Sequence, residues 1–497
     1  MKKIVYLPLD ERPCNYSFVK FLMEDNPEIQ LVKPRISSLG DKKTPADYQR
    51  IADYLLRESV DADYLILAVD MLLYGGIVPS RLHYLSTEVL QERLNLLKAV
   101  KEKNPHLKIY AFSLVMRCPS YSTDDEEPDY YGKVGLEIFL YGQNEHKHAL
   151  GLLTEAEYER TKELLCACLP YLDDYLSRRK INLSLLMDVL QMVGKEIDEM
   201  VILQDDSNPY GFTALDQQKV KECIQDIGIH VDIYPGADEG GMTLLARSIC
   251  NMKGYAPKII PVFPLEASKN FIPLYEDREV YKSVYAQIQS AGGIVTENES
   301  EADLFLYCNA PTCVAHNIDR PYSEKDDNRD LPNYVKKMQR DILAGRAVAV
   351  ADVAYCNGAD VKMTRLMENA FSFLDLAGYA GWNTSSNALG TVIAQSVIHY
   401  FYGNTAAHKR FTVERMYEDV GYCGFVRKYI WDNEIVSMGY RYEDTKDMRG
   451  AVSQRIEMLL NEYMKENYPS IAKQYQIADC YMPWRRMFEV GLVMKEK

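Results

Sequence analysis

Short apolar runs alternate with amphipathic stretches along most of the chain, and no other feature limits the possible folds as strongly. The runs are Ile4 to Leu7, Leu65 to Val69, Ile109 to Val115, Met200 to Leu203 and His230 to Tyr234, then Lys258 to Phe263, Asp303 to Tyr307 and Ala347 to Ala351. Between them, Thr87 to Lys103 and Thr154 to Arg179 have helical spacing, the second opened by the capping signal Thr154-Glu155-Ala156-Glu157. Strands separated by helices pair in parallel and are covered by those helices, which is the α/β class. Two architectures satisfy the pattern: a (β/α)-barrel over roughly residues 1–265 with a smaller α/β domain after it, or two doubly wound parallel sheets. A chain of 497 residues exceeds one core. The expected division is an N-terminal α/β domain over 1–256, a second α/β domain over 257–409, and a mostly helical C-terminal cap over 410–497. No internal repeat interrupts this reading.

Composition removes several classes of function. Fifty-seven Lys and Arg against 72 Asp and Glu give a net charge of -15, which repels phosphate backbones and anionic membrane surfaces, so neither nucleic acid nor membrane is an expected partner. The apolar run before Asp10 is too short for a signal-peptide core, and no stretch approaches a membrane span; the expected location is the cytoplasm. The 11 cysteines lack a C-x-x-C pair and read as small buried hydrophobes. His146-x-His148 lacks the i, i+4 spacing of a zinc helix and is expected at the surface. There are 37 Tyr against 14 Phe; rings with a hydroxyl suit partly wet clefts such as sugar sites, as well as ordinary surface and core.

Strand after strand ends in residues of the types used in catalysis. The first is followed by Asp10, Glu11, Arg12 and Asn15, the second by Asp70, Tyr74, Gly75, Gly76 and Arg81, and the third by Arg117. The Gly-Gly pair admits close approach of backbone amides to a ligand, and Arg81 is placed to hold a carboxylate or orient Asp70. Arg117 is either a ligand anchor or half of a structural ion pair. Gln204-Asp205-Asp206-Ser207-Asn208-Pro209-Tyr210-Gly211 follows the next strand. Two adjacent carboxylates in a dry cleft do not both ionise cheaply, so one becomes an acid beside a base; the competing reading is a turn with a helix cap. Asp238 and Glu239, flanked by Gly236 and Gly240, repeat the theme. Late in the chain Asp352, Asn357, Asp360, Trp382, Asn383 and Asn387 have the same form, with Thr384 placed to cap the helix that follows. Ser122 to Pro128, with four consecutive acidic residues, and Asp319 to Asp330 read as exposed polar loops.

The motifs PLDERPCN, DMLLYGG, QDDSNPYG, PGADE and YAGWNTSSNALG together resemble an uncharacterised bacterial family known only as a domain of unknown function. The likeness covers most of the chain and implies kinship without implying an activity.

The residues themselves point first to a carbohydrate-active hydrolase, a glycosidase on small or amino-sugar glycans. In it Asp205 and Asp206, with Asp238 and Glu239, are the catalytic candidates. Asp10, Glu11, Arg12, Asn15, Asp70, Tyr74, Arg81, Arg117, Tyr210, Asp352, Asn357, Asp360, Trp382, Asn383 and Asn387 are the candidates for substrate binding. No cofactor is expected on this reading. The alternatives are a Mg²⁺- or Mn²⁺-dependent hydrolase or sugar isomerase using Asp10, Asp70, Asp205 and Asp238, and a non-catalytic small-molecule binding protein. Substrate identity and oligomeric state are not legible.

Overall fold

A computed structural model describes residues 1–312, 316–319 and 328–497. Its first six strands are β1 (Lys2–Leu7), β2 (Ile29–Val32), β3 (Tyr64–Ala68), β4 (Lys108–Val115), β5 (Glu199–Gln204) and β6 (Asp232–Pro235). They form one sheet in the order β2-β1-β3-β4-β5-β6, with every neighbouring pair parallel. Val5 lies beside Leu65, and Leu65 beside Ile109, so the apolar runs are in register. The inner strands are buried along most of their length, as expected of a sheet covered on both faces.

The second set is β7 (Lys258–Val262), β8 (Ile294–Val295), β9 (Leu304–Asn309), β10 (His316–Asn317), β11 (Ala347–Asp352), β12 (Tyr355–Cys356) and β13 (Gly378–Ala380). Five of these form a second parallel sheet, β13-β11-β9-β7-β8, while β10 and β12 pair separately. Both sheets are open and doubly wound. The barrel alternative is not realised, because each chain steps from its first strand to one side for the second and returns to the other side for the third. A barrel would keep winding in one direction.

The chain forms two compact units. The first comprises Met1–Glu11, Asn26–Gly241 and Tyr275–Asp277; the second comprises Arg12–Asp25, Met242–Leu274 and Arg278–Lys497. The region from 410 onward is not all helix: β14 (Tyr475–Tyr481) and β15 (Gly491–Glu496) form an antiparallel pair with an irregularity between Ile477 and Asp479. Alternating burial along Tyr475–Tyr481 is the period-2 signal that a helical reading passes over. The side chains of Val413, Tyr417, Ile477 and Leu492 join one core with Phe305, Val350 and Tyr379 of the second sheet.

The helix Thr87–Lys103 has the bounds its spacing predicts. The stretch from Thr154 divides into helices Glu155–Leu164 and Leu169–Leu190 around a 3₁₀ turn at Cys166–Cys168. Thr154 and Glu157 close a reciprocal capping box. Of the polar stretch from Asp319 to Asp330, residues 320–327 lie outside the described residues. Among the described residues no helix is long and apolar enough to cross a membrane.

Candidate functional site

The first unit gathers Asp10, Asp70, Arg117, Asp205, Asp206, Asp238 and Glu239 just beyond the carboxyl ends of its strands, the edge at which doubly wound sheets bind ligands. At the end of β5, Asp205 and Asp206 are held by two arginines. Arg81 Nη2 donates to Asp205 Oδ2 at 2.7 Å. Arg117 Nη1 lies 3.3 Å from Asp206 Oδ2 and 3.8 Å from Asp205 Oδ2, so one nitrogen faces both carboxylates.

The same two guanidiniums reach the acidic loop. Arg81 Nη1 donates to Glu126 Oε2 at 3.1 Å and Glu127 Oε1 at 3.3 Å. Arg117 donates through Nε to Glu127 Oε1 at 2.7 Å and through Nη2 to Glu126 Oε2 at 3.1 Å. The expectation that Ser122 to Pro128 is an exposed loop is therefore corrected for its last part: Glu127 is fully buried, and only Ser122 and Asp124 of this stretch are exposed. Four acids in a row favour solvent unless cations meet them, and Arg81 and Arg117 do so from elsewhere in the chain. Glu127 Oε2 meets no donor among the described residues.

Electrostatics act strongly on Asp206. Burial, with the charge of Asp205 adding to it, outweighs the pull of Arg117 and Arg81 and pushes Asp206 up to about 7. Among the described residues the hydrogen bonds to the Asp206 carboxyl fall on Oδ2, from Arg117 and from the Tyr121 hydroxyl at 3.4 Å. Asp206 also has positive φ (42°), an uncommon conformation for a residue other than glycine. The competing helix-cap reading fails: the helix Phe212–Ile227 begins at Gly211 without a side-chain cap.

Other candidates in this unit have different duties. Asp70 Oδ2 accepts from Ser113 Oγ at 3.0 Å and Leu114 N at 3.1 Å, tying the end of β3 to β4; burial raises it to about 6 against those bonds. Arg81 does not orient Asp70 by a direct bond. The N–H groups of Gly75 and Gly76 return to Met71 and Asp70 and close the helix Val69–Tyr74, so the Gly-Gly pair caps a helix instead of presenting amides. Tyr74 stacks on His83, and Tyr210 packs edge-on to His146.

His146, expected at the surface, is buried, and its Nδ1 accepts from Gly211 N at 3.2 Å. Glu11 accepts from Lys42 N at 2.7 Å, and Asp10 is buried. Glu239 is sealed in: Oε2 accepts from Ala237 N at 2.9 Å, Oε1 has no donor among the described residues, and burial raises the carboxyl well above its ordinary range. Asp238 beside it is buried too.

The second unit holds the remaining candidates. Asp352 at the end of β11 accepts from Asn309 Nδ2 (2.8 Å), Asp360 N (2.8 Å) and the Tyr379 hydroxyl (3.1 Å). Asp360 caps the helix Val361–Ala370 and pairs with Arg329 at 3.0 Å. These two acids brace the edge of the sheet. Thr384 caps the helix Ser385–Tyr402 as its sequence predicts, and Asn387 is engaged there, accepting from the Thr384 hydroxyl at 2.6 Å. Asn15 is buried in the short helix Pro13–Tyr16.

Arg12, Trp382 and Asn383, by contrast, line a common pocket with Glu418, Arg427 and Glu489. Asn357 reaches it indirectly: its N donates to Asn383 O at 2.7 Å, and its O accepts from Arg427 Nη2 at 2.6 Å. Sequence reasoning missed Glu126, Glu127, Glu418, Arg427 and Glu489. The one available signal was the unusual density of charge in Asp124 to Glu127; Glu418 and Arg427 sit in a helical stretch with no local motif. Among the described residues, no group of three or more His, Cys, Asp or Glu is arranged to hold a metal ion.

The model of a protein family of unknown function, DUF4127, matches residues 4–493, and the chain belongs to that family. No curated protein and no solved structure matches it.

Proposed function

We propose that this member of the family is a carbohydrate-active hydrolase, a glycosidase on small glycans, with Asp206 as proton donor and Asp205 as its ion-paired partner. The observation that carries the reading is one arginine nitrogen set against two adjacent carboxyls, with Asp206 pushed up to about 7. A buried acid titrating near neutrality matches the demand on a general acid. In the reaction, the Asp206 proton passes to the glycosidic oxygen as the bond from the anomeric carbon breaks. Positive charge develops at that carbon, and the ionised partner carboxylate stabilises it. Water then supplies the hydroxyl to the anomeric carbon, and its remaining proton restores Asp206. Arg81 and Arg117 fix both carboxyls in place, as a preorganised site requires.

The experiment is a screen of aryl glycosides and aryl N-acetylhexosaminides with the wild-type chain and Asp206→Asn. Activity that falls at least about 100-fold in the variant supports the assignment, since general acids contribute roughly 10²–10⁴-fold. Because the donor must hold its proton, the wild-type rate should fall as pH rises through about 7. Turnover unchanged by the substitution contradicts the assignment.

A further inference from the structure

Two tyrosines beside Asp206 take no part in the proton transfer proposed above. Tyr121 lies in the segment that follows β4, and its hydroxyl donates to Asp206 Oδ2 at 3.4 Å. Its ring meets the ring of Tyr275 edge to face, with centroids 6.4 Å apart. Burial lifts the Tyr121 hydroxyl well above its ordinary range, yet 38 % of the residue stays open to solvent. A side chain that is hemmed in and still reached by water marks a recess and not a flat surface.

The segments that carry the two rings are anchored by bonds outside the rings. On either side of Tyr121, Pro119 O accepts from the Tyr131 hydroxyl at 2.9 Å, and Ser122 Oγ accepts from Leu136 N at 3.0 Å. Tyr275 belongs to the stretch Tyr275–Asp277 of the first unit. Ser207 Oγ donates to Tyr275 O at 3.4 Å, and Gln204 and Gln217 both donate through Nε2 to Asp277 Oδ2, at 3.4 and 3.3 Å. Glu276 between them is buried. Side chains from β5, the turn after it and the helix Phe212–Ile227 therefore fix both ends of this stretch, and the half-buried Tyr275 ring is presented to Tyr121.

The backbone is strained at the same place. Tyr275 has φ 67° and Asp206 has φ 42°. Such conformations in residues with a Cβ persist only where the surroundings impose them, and they concentrate at ligand sites. A tyrosine that merely decorates a surface needs no such backbone.

We infer that Tyr121 and Tyr275 form the wall of the substrate site, the surface on which a pyranose ring stacks beside Asp206. A sugar ring carries C–H bonds on its faces and hydroxyls around its edge, so an aromatic side chain packs against the face while a phenol oxygen bonds a hydroxyl at the edge. The Tyr121 hydroxyl ties this wall to the acid and so brings the stacked ring next to the proton donor. The recess and its two rings rest on the geometry alone, and the choice of a sugar as the occupant rests on the carbohydrate reading above.

The test is isothermal titration of the full chain with D-glucose, D-galactose, D-mannose and N-acetyl-D-glucosamine, and with D-glucitol, which has the hydroxyls of glucose without the ring. It is repeated with Tyr275→Ala, Tyr275→Leu and Tyr275→Phe, each checked for folding by its melting curve. Expected are saturable binding of at least one pyranose, roughly tenfold weaker binding of D-glucitol, a loss of about tenfold or more in Tyr275→Ala, and affinity within about threefold of wild type in Tyr275→Phe, which keeps the ring. Should Tyr275→Ala fail to fold, the same loss in Tyr275→Leu decides, since leucine fills space without a ring. Absence of pyranose binding, D-glucitol binding as tight as that of any pyranose, unchanged binding in the variants that lack the ring, or an equal loss in Tyr275→Phe overturns the inference. These sugars have no glycosidic bond to break, so binding is read apart from turnover. Ring-dependent binding in a chain that hydrolyses no glycoside contradicts the hydrolase alone, and hydrolysis that depends on Asp206 with binding indifferent to Tyr275 contradicts this inference alone.

Discussion

Arg117 is the residue on which the first site turns. Its guanidinium contacts Glu126, Glu127, Asp205 and Asp206, and its main-chain carbonyl is held in turn by the Tyr175 hydroxyl at 3.1 Å and Arg179 Nη1 at 2.9 Å. Removing one partner of a buried charge network strands the rest, which typically costs about 3–5 kcal/mol. Arg117→Met should lose stability of that order in urea unfolding, whereas the double variant Arg117→Met/Glu127→Leu should recover part of it. Equal losses in the single and double variants would show that Glu127 is not the charge left stranded. At the same scale, Asp206→Asn replaces a carboxyl that burial already pushes toward neutrality, so it should cost activity while leaving the urea midpoint near the wild-type value.

At the scale of elements, Gly75 ends the helix Val69–Tyr74 at φ 87°, and a Cβ there would lie 2.6 Å from Ala46 N and 2.9 Å from Pro45 Cβ. Gly75→Ala meets both a disfavoured conformation and a collision with main chain. It should destabilise by more than about 1 kcal/mol in the same unfolding assay, and no loss would mean that the turn relaxes. Elements of this kind were legible in the sequence where the cause is local. The apolar runs became β1, β3, β4, β5 and β6, the Thr154 capping box formed as written, and Thr384 caps its helix. Elements that depend on distant partners were not legible. The short strands β8 and β13 carry too few residues for a period, and the inward turn of Glu126 and Glu127 needs Arg81 and Arg117 from outside the loop. Clustering of polar residues at the strand ends was readable, because a parallel sheet sends every strand to the same edge. Their sorting was not: Asp70, Asp352 and Asp360 brace secondary structure, whereas Asp205 and Asp206 face arginines.

Over the whole molecule, two parallel sheets share a strand order, second-first-third-fourth-fifth, with a sixth strand added to the first. Each unit buries acids at its carboxyl edge or in the helices beside it. Burial pushes Asp206, Asp352 and Asp419 up to about 7 and Glu414 to about 8. In the unfolded chain these groups are ionised well below pH 6, so between pH 6 and 8.5 these four carboxyls give up protons in the folded state only. The contribution of these carboxyls to folding stability therefore falls as pH rises through this window, and it outweighs the opposite, smaller contribution of the histidines that burial lowers, His83, His146, His399 and His408, which ends once the unfolded imidazoles are neutral. The melting temperature should be higher at pH 6 than at pH 8.5, and a higher value at pH 8.5 would contradict the burial of these carboxyls as protonated groups. The central claim concerns one of them, Asp206, and a pH titration of the aspartate side-chain carboxyl ¹³C signals in the wild-type chain and in Asp206→Asn tests it without a substrate. The wild type should show a carboxyl with an apparent pKa near 7 that vanishes in the variant; an identical set of titrating signals in the two chains, with none lost near neutrality, would contradict the assignment of Asp206 as the proton donor.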